Sequence, residues 1–102
     1  MSIQDTIHEQ VTSNPVVLYM KGTPQFPQCG FSASATQILK ACGVNEFLAV
    51  NVLTDPEIRQ GIKDFANWPT IPQLYVNGEF VGGADIMREL YQSGELQQIL
   101  KK

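Results

Sequence analysis

Along the 102-residue chain, apolar positions recur in two rhythms, a helical spacing of three and four and short unbroken runs, and the two alternate. Ile3, Ile7 and Val11 stand four apart, which places them on one helical face. Ser2 and Asp5 supply a cap and a first-turn carboxylate, and Asn14-Pro15 ends this first helix. Val16-Val17-Leu18-Tyr19-Met20 is apolar without alternation, which predicts an interior strand covered on both faces. A Pro-rich loop over 21–28 leads to a second helix, whose buried face takes Phe31, Ala35, Ile38, Leu39 and Cys42 and which closes at Gly43. Residues 47–52 predict a second strand. Its connection through a helix implies a right-handed crossover and parallel pairing with the first.

Thr54-Asp55-Pro56-Glu57 starts a third helix in one of two ways: Asp55 ahead of Pro56 at the first helical position, or Thr54 with Glu57 as a capping box. Ile58, Ile62 and Phe65 give its buried face, and Trp68-Pro69-Thr70-Ile71-Pro72 breaks it. Two strands then flank Asn77-Gly78, the dipeptide that best tolerates the positive φ angles of a tight hairpin. Gly83-Ala84-Asp85 opens a helix through Ile86, Met87, Leu90 and Tyr91, and Ser93-Gly94 separates it from a last turn carrying Leu96, Ile99 and Leu100. The order αβαβαββα plus a terminal helix predicts an α/β chain, a mixed sheet between helices in one domain over 1–102. A ligand belongs beyond the carboxyl end of the first strand, beside Lys21 and Cys29.

Charge narrows the partners. A formal net charge of -3 leaves no basic surplus to neutralise phosphates, so nucleic acid and anionic membrane are not expected partners. No apolar run approaches the roughly 20 residues of a membrane span, and the first residues lack the basic and apolar regions of a leader; the expectation is a cytoplasmic protein. Two cysteines thirteen positions apart are not the framework of a stapled secreted domain and fit a reducing compartment.

Of the two, Cys29 carries the chemistry. It stands just before a helix, where unpaired N–H groups and the helix dipole favour thiolate over thiol and lower the pKa from about 8.5 to between roughly 3.5 and 7.5. A thiolate is both a nucleophile and a soft metal ligand. Cys42, on the apolar face of the same helix, reads as a small buried hydrophobe, and His8, on a polar stretch, as solvated. Taken singly, Lys21 and Arg59 are surface charges, Asp85 is a helix cap as readily as a ligand contact, Phe31 is core, and Trp68 and Pro72 shape a loop.

Taken together they read differently. Lys21-Gly22-Thr23-Pro24, Cys29-Gly30-Phe31-Ser32, Trp68-Pro69-Thr70-Ile71-Pro72 and Gly82-Gly83-Ala84-Asp85 follow the order and spacing of the monothiol (CGFS-type) glutaredoxins, and the resemblance covers essentially the whole chain. It implies a single-domain member with a thioredoxin-type fold, a four-stranded mixed sheet flanked by helices. It also implies glutathione binding and a [2Fe-2S] cluster shared between two subunits. By this resemblance Lys21 and Arg59 face the glycine carboxylate of glutathione, and Ile71, ahead of a cis Pro72, pairs through its main chain with the cysteinyl part. Ala84 and Asp85 receive the γ-glutamyl end, and Thr70, Gly30, Phe31 and Ser32 shape the site. Ala84 departs from members that carry Cys there, which excludes an intramolecular disulfide from that position.

The ligand count agrees with a shared cluster. A [2Fe-2S] cluster takes four ligands, usually thiolates, and this chain offers one activated Cys, so Cys29 from each of two chains plus two glutathione thiols would complete the set. Ser32 cannot resolve a mixed disulfide on Cys29 as a second thiol would, which favours holding glutathione over turning it over. The leading expectation is a carrier of iron–sulfur clusters to apo-proteins. Its alternatives are a glutathione-dependent oxidoreductase acting through Cys29, and an iron-sensing module paired with a BolA-type protein.

Overall fold

The computed structural model describes residues 2–101. In chain order the elements are α1 (Ile3–Ser13), β1 (Val16–Met20), α2 (Gly30–Ala41), β2 (Leu48–Asn51), a 3-10 turn (Val52–Thr54), α3 (Pro56–Ala66), β3 (Gln73–Val76), β4 (Glu79–Gly82), α4 (Ala84–Ser93) and α5 (Glu95–Lys101). The strands form one sheet in the order β2-β1-β3-β4, parallel between β1 and β2 and antiparallel elsewhere.

The unbroken apolar run of β1 is explained by its central place. All five residues are buried, and they divide by parity. Val16, Leu18 and Met20 enter one core with Ala35, Ile38 and Leu39 of α2, Met87 of α4 and Leu96 of α5. Val17 and Tyr19 enter the other with Ile7 and Val11 of α1, Ile58 and Ile62 of α3, and Tyr75 of β3. Each fully buried Leu, Ile or Val of this kind contributes about 1.5–3 kcal/mol, so a single strand anchors both layers.

Local signals set the boundaries. The Ser2 hydroxyl accepts from Asp5 N–H (3.1 Å) while the Asp5 carboxylate accepts from Ser2 N–H (3.3 Å), a complete capping box for α1. At α3 the choice falls on Asp55, whose Oδ1 accepts from Ile58 N–H (3.2 Å) with Pro56 at the first turn. Thr54 does not cap; its hydroxyl donates back to the Asn51 carbonyl (3.0 Å). Asn77 and Gly78 both have positive φ, 52° and 84°, as the hairpin requires.

Three expectations are corrected. The second strand is shorter than 47–52, because Val52 turns into the 3-10 segment that the Asn51 side chain caps. Phe31 is not core but 59% exposed: the first turn of α2 projects past the packed layer, and the inward position there belongs to Ser32, in helical register with Ala35 and Leu39. Cys42 is half-buried rather than buried, since the helix has already ended and Cys42 is its C-cap.

Candidate functional site

The carboxyl end of β1, the start of α2, the break after α3 and the start of α4 meet at one side of the sheet. Cys29 is the N-cap of α2 in extended conformation (φ -152°, ψ 138°) and does not close a capping hydrogen bond as a thiol. The Ser32 N–H faces its sulfur, and stabilisation of negative sulfur by that N–H is the strongest influence drawing the thiol below its ordinary value. Partial burial opposes the shift, while the Phe31 N–H, the Lys21 charge and the Ser32 hydroxyl add to it. Ser32 is therefore more than an absent thiol. It is fully buried, and its Oγ accepts from Lys21 N–H (3.0 Å), tying the end of β1 to α2.

Residues 21–28, read from sequence as an irregular Pro-rich loop, form a small closed hairpin. Gln28 N–H donates to the Lys21 carbonyl (2.9 Å), Thr23 and Phe26 exchange backbone bonds (3.2 and 3.0 Å), and Gly22 bridges Pro27. Gly22 has φ +91°, and a side chain there would come within 2.5 Å of the Phe26 carbonyl oxygen; only glycine fits without moving the loop.

Beside this hairpin lies a cavity of about 320 Å³, the size of a small-ligand site. Three cations, Lys21, Arg59 and Lys63, stand in its wall with a single carboxylate, Asp85. The loop of residues 68–72 and Phe31 supply the apolar and backbone surface, and Gly83, Ala84 and Ile86 bring the N-terminus of α4. Gly83 caps that helix without a side-chain bond, so its first N–H groups keep their capacity to bind an anion. Asp85, which the sequence allowed as the cap, lies inside the first turn instead.

A buried amide shapes the far wall. Gln73 is fully buried; its Nε2 donates to the carbonyls of Trp68 (3.1 Å) and Thr70 (3.2 Å), and its Oε1 accepts from Tyr75 Oη (3.1 Å). Burial pushes the Tyr75 hydroxyl up to about 12, so it remains a donor. The Ile71–Pro72 peptide is cis, and Trp68 packs on Phe80 with ring centroids 5.6 Å apart.

Lys21, Phe31, Arg59, Thr70, Ile71, Pro72, Ala84 and Asp85 thus converge on one cavity. Gly30 and Ser32 do not line it: Gly30 is the first residue of α2 and Ser32 lies beneath. Cys29 does not line it either, although Phe31, two residues on, does. Cys42, at the other end of α2, does not line it, and burial raises its thiol. His8 is exposed on α1. Sequence reasoning passed over Lys63, one helical turn after Arg59 on α3, where i,i+4 spacing pointed to it. It also passed over Gln73, a polar residue in a buried strand, and Asn51.

A mixed sheet in this order, with a lone thiol at the N-cap of the helix after the central strand and a cis-proline loop beside it, defines a thioredoxin-like fold with a monothiol site. The family model for glutaredoxin matches residues 16–81, and the chain belongs to the glutaredoxin family. It is 61% identical over 95 residues to a Synechocystis protein named as a monothiol glutaredoxin, ycf64-like, covering 93% of this chain and 88% of that one. It is 54% identical over 98 residues to glutaredoxin 4 of Escherichia coli, covering 96% and 84%. The solution structure of reduced poplar apo GrxS14 superposes with a TM-score of 0.84 at 50% identity, over 97% of this chain and 90% of that one. Among the described residues no helix is long and apolar enough to cross a membrane.

Proposed function

We propose that the protein binds glutathione in the cavity beside Cys29 and carries a [2Fe-2S] cluster between two of its chains, delivering it to apo-proteins in a reducing compartment such as the cytoplasm. The observation that supports this most directly is the polarity of the cavity. Lys21, Arg59 and Lys63 lie in its wall with one carboxylate, Asp85, and the N-terminus of α4 opens into it. Glutathione carries two carboxylates and one ammonium. One carboxylate pairs with the Lys21 and Arg59 cations, the other with the N–H groups at Ala84 and Asp85, and the Asp85 side chain takes the ammonium. The peptide's thiol then lies toward Cys29, with the Ile71 main chain alongside.

The cluster is cargo, and the residues suit a shared one. Of the two free cysteines, Cys29 has its thiol pKa lowered and Cys42 has its thiol pKa raised, so on this reading one chain offers one thiolate. Two Cys29 thiolates and two glutathione thiols make the four ligands such a cluster takes. Ser32 leaves the Cys29 sulfur stabilised and unresolved, which suits holding a ligand more than rapid disulfide turnover.

Anaerobic reconstitution with iron and sulfide, with and without glutathione, followed by size-exclusion chromatography, tests this reading. The expected outcome is cluster absorbance eluting with a dimer only when glutathione is present, at about one cluster per two chains, and lost in Cys29→Ser. Lys21→Ala is expected to weaken glutathione retention. A colourless monomer in both runs would replace the carrier with a thiol-exchange enzyme. A cluster that forms only with a BolA-type protein would favour the sensing complex.

A further inference from the structure

The backbone around Lys21 is tied in three directions. Its N–H donates to Ser32 Oγ (3.0 Å), its carbonyl accepts from Gln28 N–H (2.9 Å), and the next N–H, that of Gly22, donates to Asn51 Oδ1 (3.0 Å). The first two bonds run to α2 and across the hairpin. The third runs to the end of β2, the parallel neighbour of β1. Asn51 is the last residue of β2, in register with Met20, and the same oxygen accepts from Leu53 N–H (3.0 Å) as the cap of the 3-10 turn. One side-chain carbonyl therefore joins the Lys21 hairpin to the segment that leads into α3, which carries Arg59. Gly22 is buried and its φ of +91° leaves it little freedom, so without Asn51 a buried N–H loses its acceptor.

We propose that Asn51 is a positioning residue for the site: its Oδ1, bridging the Gly22 and Leu53 N–H groups, fixes where the end of β1 presents the Lys21 ammonium to the cavity. This rests on the reading that Lys21 contacts a carboxylate of bound glutathione. Asn51 itself does not touch the ligand. It lies outside the cavity lining and acts through the backbone of residues 21 and 22.

The test is a double-mutant cycle on the full chain, with glutathione binding measured by calorimetry and Gly22 amide exchange by NMR. Asn51→Ala is expected to weaken binding by about three- to tenfold, the span of one net hydrogen bond. In a Lys21→Ala background the same change should cost less than about twofold, because the two act as one unit. Asn51→Asp, which keeps an accepting oxygen, should restore Gly22 protection to within about threefold of the parent, whereas Asn51→Ala lowers it at least about tenfold. A loss of affinity that persists undiminished without Lys21 would overturn the proposal, marking Asn51 as a general staple. Unchanged Gly22 protection in Asn51→Ala would overturn it too. Failure of the parent protein to bind glutathione would instead sink the reading of the cavity, and the exchange data would still decide whether Asn51 holds the hairpin. Asn51→Leu, which likewise removes the accepting oxygen at similar size, serves the same comparison if Asn51→Ala does not fold.

Discussion

The two ends of α2 each carry a cysteine, and the helix makes them different chemical groups. At the N-terminal end Cys29 meets N–H groups, foremost that of Ser32, and its thiol is drawn below the ordinary value. At the C-terminal end Cys42 spends its own N–H on the carbonyls of Ile38 and Leu39, packs against the core, and has its thiol raised by burial. Residue type is the same and the sequence separation is thirteen positions. Polarity of the helix and depth of burial move the two thiols in opposite directions.

The largest expected effect would break this comparison if it failed. Cys29→Ser should abolish cluster assembly with iron, sulfide and glutathione, while Cys42→Ser should leave the yield within about twofold, as for a substitution away from any functional feature. Equal losses in both variants would end the assignment of roles. The next effect sharpens it. In single-cysteine variants, the alkylation rate of Cys29 should level off at a pH below the ordinary thiol value of about 8.5, and that of Cys42 above it. The sign follows from linkage: stability rises with pH between the lowered midpoint of Cys29 and the ordinary value, and falls with pH between the ordinary value and the raised midpoint of Cys42.

Smaller effects follow at the two caps. Ser32→Ala removes the acceptor of Lys21 N–H and a hydroxyl beside the sulfur. It should lower stability by about 1 kcal/mol, read from denaturant midpoints, and move the Cys29 alkylation profile toward higher pH while leaving that of Cys42 in place. Gly43→Ala acts at the other end. With φ +83° and open space around it, the penalty is one of backbone conformation, about 1 kcal/mol, and Cys29 alkylation should be unchanged.

The same contrast shows what a sequence discloses. Elements with their own local signals are legible: the Ser2–Asp5 box, the apolar run of β1, Pro56 behind Asp55, and Asn77-Gly78 each state their structure within a few residues. The place of Cys29 at the N-cap of α2 is legible for the same reason, since a helix start reveals itself nearby. Phe31 is not, because helical spacing reports a face but not where the packed layer above that face ends. Nor are the links that shape the site. Asn51 reaches Gly22 across 29 positions and Gln4 reaches the Gly61 carbonyl across 57, distances at which residue identity alone carries no pairing information. Gln73 is intermediate: its polarity inside a strand marks it as odd, but its two carbonyl partners become visible only when residues 68–72 are folded over it.

The alternation along β1 has a consequence for how the protein can change over evolutionary time. Its five side chains are shared between two cores, so a one-residue insertion or deletion within it would exchange the two sets and expose both cores to misfit. It would also carry Lys21 about 3.3 Å along the strand and turn it to the opposite side. The strand thus works as a ruler whose zero is set by hydrocarbon and whose far mark is a charge. Lineages descending from this chain are free to vary the exposed tip of the hairpin at Gln25 and Phe26, but the length of β1 is not open to drift.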